Sequence, residues 1–387
     1  MCAMQDLVLG GPKARPSGPT TPTWLLNLDQ VESGSGRVLK KEFVAPGDLG
    51  PSVHRFEKGT VLYSKLRPYL NKVVVADQSG YATTELVPMR CDTTRVVPQY
   101  LAYFLRSPRF LSFASNVVAG AKMPRMVMSE FWKYEVPIPS LEEQRRIAEI
   151  LDKADALRVK RRETLTYLET LKQAVFEEFW KSSRGNAVES LLGEIADKTR
   201  GSFVNGPFGS DLLTSELQLV GVPVVYIRDI RDGEYLRVSE ACVSEEKAKA
   251  LSVCEVRPGD VLVAKVGDPP GIAAIYPSGQ SKAIITQDVI RIRVDQRLVL
   301  PEFIQAYLNS ALGRLRISEF TVAATRARFS LGDFKKMRIE LPPLAAQQGF
   351  ARKIEQICKI KLDCEVDMAK SDSLFASVQH DAFAGTL

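Results

Sequence analysis

The chain has 387 residues, a formal net charge of +6, 45% hydrophobic residues and 25% charged residues. That is long enough for two or three domains with cores of their own, and too apolar for a wholly disordered protein. No run approaches the roughly 18 consecutive apolar residues of a membrane-crossing helix, and the first residues lack a basic stretch leading into an apolar one, so a cytoplasmic protein is expected.

Six cysteines, at positions 2, 91, 242, 254, 358 and 364, form no Cys-x-x-Cys pair, and His54 and His380 are the only histidines. Structural zinc and histidine-based acid–base catalysis are therefore not expected, and the cysteines read as reduced and mostly buried. Charge is uneven, with 17 basic against 11 acidic residues in the first 140 and near balance elsewhere. A basic surface suits a polyanion, because each phosphate neutralised releases counterions. A surplus this small fits equally a protein that binds nothing charged.

Along the chain, Gly10, Gly11, Pro12, Pro16 and Gly18 read as a flexible lead-in. Short β-branched runs bounded by Gly, Pro or Asp predict strands at Val61–Tyr63, Val73–Val75, Val222–Ile227, Val261–Val263 and Val289–Val294. Helices are expected after Pro98 and Pro301, where proline suits a first helical turn. Leu191–Lys198 also has a helix-like pattern.

An internal repeat organises these elements. Val136–Leu151 lies over Ile339–Ile354 at an offset of 203, which also brings Phe131 onto Phe334, Pro98 onto Pro301 and Gln144 onto Gln347. Lys58–Lys65 matches Pro258–Lys265 at an offset of 200. The chain reads as module, long helix, module, long helix. In the second helix Phe350, Ile354, Ile357, Lys361, Cys364, Met368, Ser371, Phe375, Val378 and Ala382 alternate steps of four and three. The repeat sets them over Ile147, Leu151, Ala154, Arg158, Arg161, Leu165, Leu168, Lys172, Val175 and Phe179. Both sets are apolar with polar breaks near the middle, as in a coiled-coil seam. Neither helix carries Gly or Pro between 145 and 180 or between 350 and 383. The fold class is therefore α+β, two tandem modules each followed by a long helix, the helices pairing antiparallel as a coiled coil. The expected bounds are 1–140, 141–182, 183–343 and 344–387.

Leu141–Leu165 resembles the helix that follows a target-recognition domain in DNA specificity subunits of type I restriction-modification systems. Gly59–Val73, Thr83–Leu86 and Ser107–Met126 resemble segments of that domain in the usual order, as do Val224–Ile230, Gly259–Asp268 and Leu341–Gln347 in the second half. The resemblance spans roughly residues 24–383. It implies two target-recognition domains, each reading half of a bipartite double-stranded DNA site. The helices would serve as a ruler and as a docking surface for two modification subunits. Those methyltransferase partners would carry S-adenosylmethionine, and restriction and translocase subunits would join through the complex. This chain itself would hold no cofactor and no catalytic centre. The alternatives are a specificity-like subunit of another defence or modification assembly, or a coiled-coil adaptor that binds no DNA.

Phosphates are held by Lys, Arg and small polar groups, and bases are read by Arg, Lys, Asn and Gln. The candidate DNA contacts are Lys65, Arg67, Tyr69, Asn71, Lys72, Lys122 and Arg125 in the first module, and Lys265, Arg326 and Arg328 in the second. Two motifs imitate catalysis. Asp268-Pro269-Pro270 is followed by Gly271, where an amino-methyltransferase needs an aromatic residue. Pro258-Gly259-Asp260 with Lys265 has Val263 where a metal-dependent nuclease needs a second carboxylate. No phosphate-binding Gly-x-x-x-x-Gly-Lys loop occurs. The first module has a shorter approach to its Leu25–Val31 segment than the second has to Val224–Ile230, so an abbreviated start is expected there.

Overall fold

Two compact units make up the chain in a computed structural model that describes residues 1–9, 21–50, 52–323 and 325–385. They are Met1–Glu163 with Glu365–Leu387, and Thr164–Cys364. The units do not follow chain order, because each takes one part of both long helices, Leu141–Ser183 (43 residues) and Leu344–Ala384 (41 residues). The lead-in at Gly10–Gly18 lies outside the described residues.

Each unit contains two four-stranded sheets with the same connectivity. In the first unit one sheet runs Val8–Leu9, Leu86–Cys91, Val61–Ser64, Val73–Val75. The other runs Glu42–Val44, Thr23–Leu26, Gly80–Thr83, Val53–Phe56. The second unit repeats the first sheet as Phe203–Asn205, Val289–Ile292, Val261–Ala264, Ala273–Ile275. It repeats the other as Cys242–Val243, Val222–Val225, Ala283–Ile285, Glu255–Val256. Among the described residues one parallel pairing occurs in each unit, Leu25 with Tyr81 and Val224 with Ile284. The central strands Val61–Ser64 and Val261–Ala264 are buried along their whole length, which is why they read as continuous apolar runs and not as alternations.

Three expected elements are shorter than their sequence pattern; the strand expected over Val289–Val294 ends at Ile292. The strand at Val222 stops at Val225, because Asp229 accepts the Tyr226 amide at 2.8 Å and turns the chain into a short 3-10 segment, Ile227–Asp229. The helix-like Leu191–Lys198 is only one 3-10 turn, Leu192–Ile195, because Leu191 belongs to the strand Val188–Leu191, paired with Arg338–Leu341. The first module, expected to begin in abbreviated form, carries the same opening. Cys2–Ala3 pairs with Glu135–Val136, and Met4–Leu7 forms the equivalent 3-10 turn. Met4 and Leu7 are fully buried, as are Leu192 and Ile195. The brevity of the first module lies in the connections between elements.

A buried glutamine joins each module to its long helix. Gln144 Oε1 accepts the Val97 amide at 2.8 Å, and its Nε2 donates to the Arg95 and Pro139 carbonyls, both at 3.0 Å. Gln347 makes the equivalent three bonds, to the Leu300 amide at 2.9 Å and the Leu298 and Pro342 carbonyls at 3.3 and 2.8 Å. Both side chains are fully buried. Val97 and Leu300 stand immediately before the helices Pro98–Leu105 and Pro301–Asn309. One amide group thus ties the start of a module helix to the start of the long helix.

The long helices pair antiparallel within each unit. In the first unit Arg158 bonds Asp372 at 2.6 Å and lies over the Phe375 ring, while Arg161 meets Asp367 at 3.2 Å. Ile147 and Leu151 share a core with Ala382 and Phe383, against which Phe375 and Val378 pack. In the second unit Phe179 stacks on Phe350 with centroids 4.8 Å apart, and Val175 and Ile354 pack against the same core. Ile147, Leu151, Leu168, Phe350 and Ile357 are buried. Leu165, Val175, Phe179, Ile354, Met368, Phe375 and Val378 are half-buried.

The polar breaks in the seam are filled by charge. Lys361 reaches Glu169 at 2.7 Å and Glu234 at 2.6 Å, and Lys172 reaches Glu234 at 2.9 Å. Glu234 comes from a hairpin of the second module, Ile230–Arg231 with Glu234–Tyr235. Burial opposes ionisation of Glu234, but the two lysines outweigh it and hold its carboxyl below the usual range. Hydrogen bonds to Glu169 and Glu234 likewise outweigh burial and raise the Lys361 ammonium above its usual value. A depressed carboxylate contributes stability above its unfolded pKa, lost as pH falls through the folded value. A raised lysine contributes below its unfolded pKa, lost as pH rises through the folded one.

Two predictions follow from these contacts. Gln347→Leu leaves the Leu300 amide and two carbonyls buried without a partner, and is expected to cost about 2–4 kcal/mol in denaturant unfolding; a cost below 0.5 kcal/mol would deny the clamp. Glu234→Gln is expected to lower stability at neutral pH by about 1–2 kcal/mol, less than for a fully buried pair because the Glu234 side chain is 32% exposed. The difference from the wild type should shrink as pH falls through the Glu234 titration, which parallel melts at several pH values would read.

Candidate nucleic-acid interface

The antiparallel registers bring several loops to one end of the sheet that contains the buried central strand in each unit. In the second unit Ala264 pairs with Val289 and Asn205 with Ile290. The connections that follow Ala264 and Asn205, and the turn that precedes Val289, therefore emerge side by side. In the first unit Ser64 pairs with Leu86, so the loop 65–72 lies beside the Thr83–Leu86 turn.

A second chain segment joins this end in the same way in both units. Leu66 bridges Arg125, the Arg67 amide donates to the Pro124 carbonyl at 2.7 Å, and the Met126 amide donates to the Lys65 carbonyl at 2.8 Å. Across the repeat Val266 bridges Arg328, and the Gly267 amide donates to the Ala327 carbonyl at 3.1 Å. The Lys65 amide donates to Glu85 and the Lys265 amide to Asp288, again equivalent positions. Lys65 with Arg125, and Lys265 with Arg328, are thus brought together twice by the same backbone geometry.

The candidates divide by what their side chains do. Arg67, Tyr69, Lys122, Arg326 and Arg328 are exposed, and Lys65 and Lys265 are half-exposed. Arg67 has φ of 48°, a left-handed conformation that turns the chain sharply after the strand. Asn71, also left-handed at φ 50°, donates to the Arg106 carbonyl at 3.0 Å, and Lys72 donates to the Leu28 carbonyl at 2.6 Å. Those two side chains brace the loop. Arg125 is held by Glu85 through Nε and Nη2, with the closest approach at 2.8 Å, and this hydrogen-bonded pairing raises its pKa. No such pair is formed by Arg328 among the described residues. The two units therefore present related ends of unequal free charge.

Sequence reasoning did not find the Glu85–Arg125 pair, since 40 residues separate its members. It also passed over the connection 206–221, whose exposed Phe208 stands at the same sheet end. The Gly-Pro-Phe-Gly run at 206–209 was the available signal.

The catalytic look-alikes resolve as structure. Asp260 is buried and receives two bonds from Arg293, at 2.8 and 2.7 Å, and one from the Arg257 amide at 2.9 Å. Its counterpart Thr60 accepts the Glu57 amide at 3.3 Å, the same turn-closing bond from a neutral group. Nearby Arg291 is buried and donates to the Glu255 carbonyl at 2.7 Å, and desolvation lowers its pKa. Asp268-Pro269-Pro270 lies in the loop between Val261–Ala264 and Ala273–Ile275. No group of three or more metal-ligating side chains occurs among the described residues. Cys91, Cys242 and Cys254 are buried, Cys2 and Cys364 are half-buried, Cys358 is exposed, and all six are free thiols. Asp260→Ala should cost about 3–5 kcal/mol in denaturant unfolding, because it strands the Arg293 guanidinium beside a buried arginine. A neutral substitution would return Asp260 to the chemical candidates.

The family described as the type I restriction modification DNA specificity domain matches residues 54–167 and 247–366, and the chain belongs to it. The StySPI specificity subunit of a type I restriction enzyme from Salmonella potsdam is 24% identical over 76% of this chain and 66% of its own length. The EcoKI specificity subunit from Escherichia coli K12 is 24% identical over 74% of this chain and 65% of its own. The chain thus spans just under two thirds of these relatives. A solved structure concerned with complex assembly and conformational transition of a type I restriction-modification system superposes with a TM-score of 0.59 at 18% identity, covering 100% of this chain and 97% of that one. The type I restriction-modification S subunit from M. genitalium superposes at 0.55 with 13% identity, covering 99% and 95%. At such identities the likeness to the solved structures is one of fold.

No helix among the described residues is long and apolar enough to cross a membrane.

Proposed function

We propose that this chain is the DNA-reading subunit of a type I restriction-modification complex, acting in the cytoplasm on a bipartite site and contributing recognition, with no catalytic step of its own. The observation that carries the reading is the repeated sheet end, where Lys65 and Arg125 in one unit correspond to Lys265 and Arg328 in the other. Two equivalent basic loop clusters suit two half-sites, with exposed arginines and lysines for phosphates and base edges. The long helices would act as the ruler between the half-sites.

The partners in this reading are two copies of a methyltransferase subunit, which carry S-adenosylmethionine and methylate adenine, with restriction and translocase subunits joining through them. Exposed apolar side chains on the long helices support two copies of one partner. The first unit exposes Leu157 (42%) and Leu374 (56%), and the second exposes Ile360 (51%) and Leu171 (45%). These are equivalent positions at the repeat offset of 203, so each unit exposes an apolar side chain at the same place on both helices. A partner present in two copies would meet the same exposed side chains in each unit.

Arg326→Ala and Arg328→Ala together are expected to weaken cognate duplex binding by the assembled complex about tenfold or more and to lower the slope of log affinity against log salt by about 2. Fluorescence anisotropy across a salt series measures both, and an unchanged slope removes these arginines from the interface. Leu157→Asp with Leu374→Asp is expected to leave a complex holding one methyltransferase copy where the wild type holds two, read as mass by light scattering. Retention of both copies would exclude this patch.

A further inference from the structure

Four aromatic side chains are largely exposed among the described residues: Phe43 (59%), Tyr69 (53%), Tyr167 (73%) and Phe208 (61%). Phe43 lies on an edge strand and Tyr167 on a long helix. Tyr69 and Phe208 stand in the loops at the basic sheet ends, one in each unit. Phe208 sits in the connection 206–221 of the second unit, which contains no lysine or arginine. Its two acidic residues are Asp211 and Glu216, and Glu216 is paired with Lys247 at 2.7 Å. This loop has no cation to neutralise a phosphate. What it offers is apolar surface on a fixed backbone.

The backbone is fixed by packing. The Gly206 amide donates to the Val289 carbonyl at 3.2 Å, and the Asp211 amide closes a turn onto the Phe208 carbonyl at 2.8 Å. A Cβ on Gly206 would overlap the Ile285 and Thr286 carbonyls, so the glycine lets the loop lie directly on the turn before Val289. The carbonyl of Asp288 in that turn receives the Lys265 amide at 2.8 Å, and the Lys265 strand continues to the Val266–Arg328 bridge. Phe208 is therefore exposed on a loop that leaves the same sheet end as Lys265 and the Val266–Arg328 bridge, and that loop carries no cation to neutralise a phosphate. In a duplex bound at this end, the matching apolar feature is the thymine 5-methyl group, which projects into the major groove and is met by apolar side chains.

Resting on the DNA-reading function proposed above, we infer that Phe208 is a specificity-determining residue that contacts a thymine methyl in the half-site bound by the second unit. The test uses the full chain assembled with its modification subunits and the duplex that this complex selects from a random pool. Each thymine of the selected site is replaced singly by uracil, which removes only the methyl group. The wild type is expected to lose about three- to tenfold in affinity at one thymine. Phe208→Ala should lose a similar factor on the unsubstituted duplex and nothing further at that uracil, while melting at the wild-type temperature because the side chain is exposed. Wild-type affinity of Phe208→Ala, or a uracil penalty that adds in full to that of the substitution, overturns the assignment, as does a selected site without thymine. Failure of the wild-type complex to select any duplex overturns the DNA-reading function, a separate and recognisable outcome.

Discussion

A single buried amide group in each unit fixes the angle between a recognition module and the helix that follows it. Gln144 and Gln347 each accept one backbone amide and donate to two carbonyls, all at equivalent positions. The groups they satisfy belong to the last turn before a module helix and to the proline-bounded entry of a long helix. Leaving any of them buried and unpaired is costly, so the join has one preferred geometry. Because the sheet-end loops are built on the same module core, their direction relative to the long helix is set by this contact. A reader that must place side chains against base edges needs such rigidity more than it needs strong individual bonds.

The duplication is strict in backbone and loose in side chains. The 3-10 turn, the two sheets, the parallel pairing and the loop bridges recur in both units. Within that frame Asp260 stands where Thr60 does, and both close the same turn. Arg125 is tied to Glu85, whereas Arg328 makes no comparable pair among the described residues. The frame conserves the places where side chains emerge, and the side chains differ. In the proposed function, two related but unequal surfaces would suit an asymmetric bipartite target.

Much of this was legible in the amino-acid sequence because it rests on periodicity. The offset of 203 located both long helices, since a seam that steps by four and three is visible without any tertiary information. The buried strands at Val61 and Val261 were visible as β-branched runs. The opening of the first unit was harder. Met4 and Leu7 match Leu192 and Ile195 only if the offset falls to 188, and the intervening connections differ in length. Within the sites, residue type suggested Lys72 and Asn71 as DNA contacts, but their side chains brace backbone carbonyls. Whether a charged side chain faces solvent or closes a loop depends on partners distant in sequence, such as Leu28 for Lys72 or Glu85 for Arg125. The Glu234 bridge between Lys172 and Lys361 was hidden for the same reason, its partners lying 62 and 127 residues away.

The central claim is that one chain reads two separated half-sites, and the pattern of adenine methylation in the DNA of the cell that makes it tests this most directly. Single-molecule sequencing of that DNA should find methylated adenines in a split motif, two short specific stretches separated by a fixed number of unspecified bases, and the motif should disappear when this chain is deleted. A continuous motif that depends on this chain, or a split motif that survives its deletion, would contradict the account.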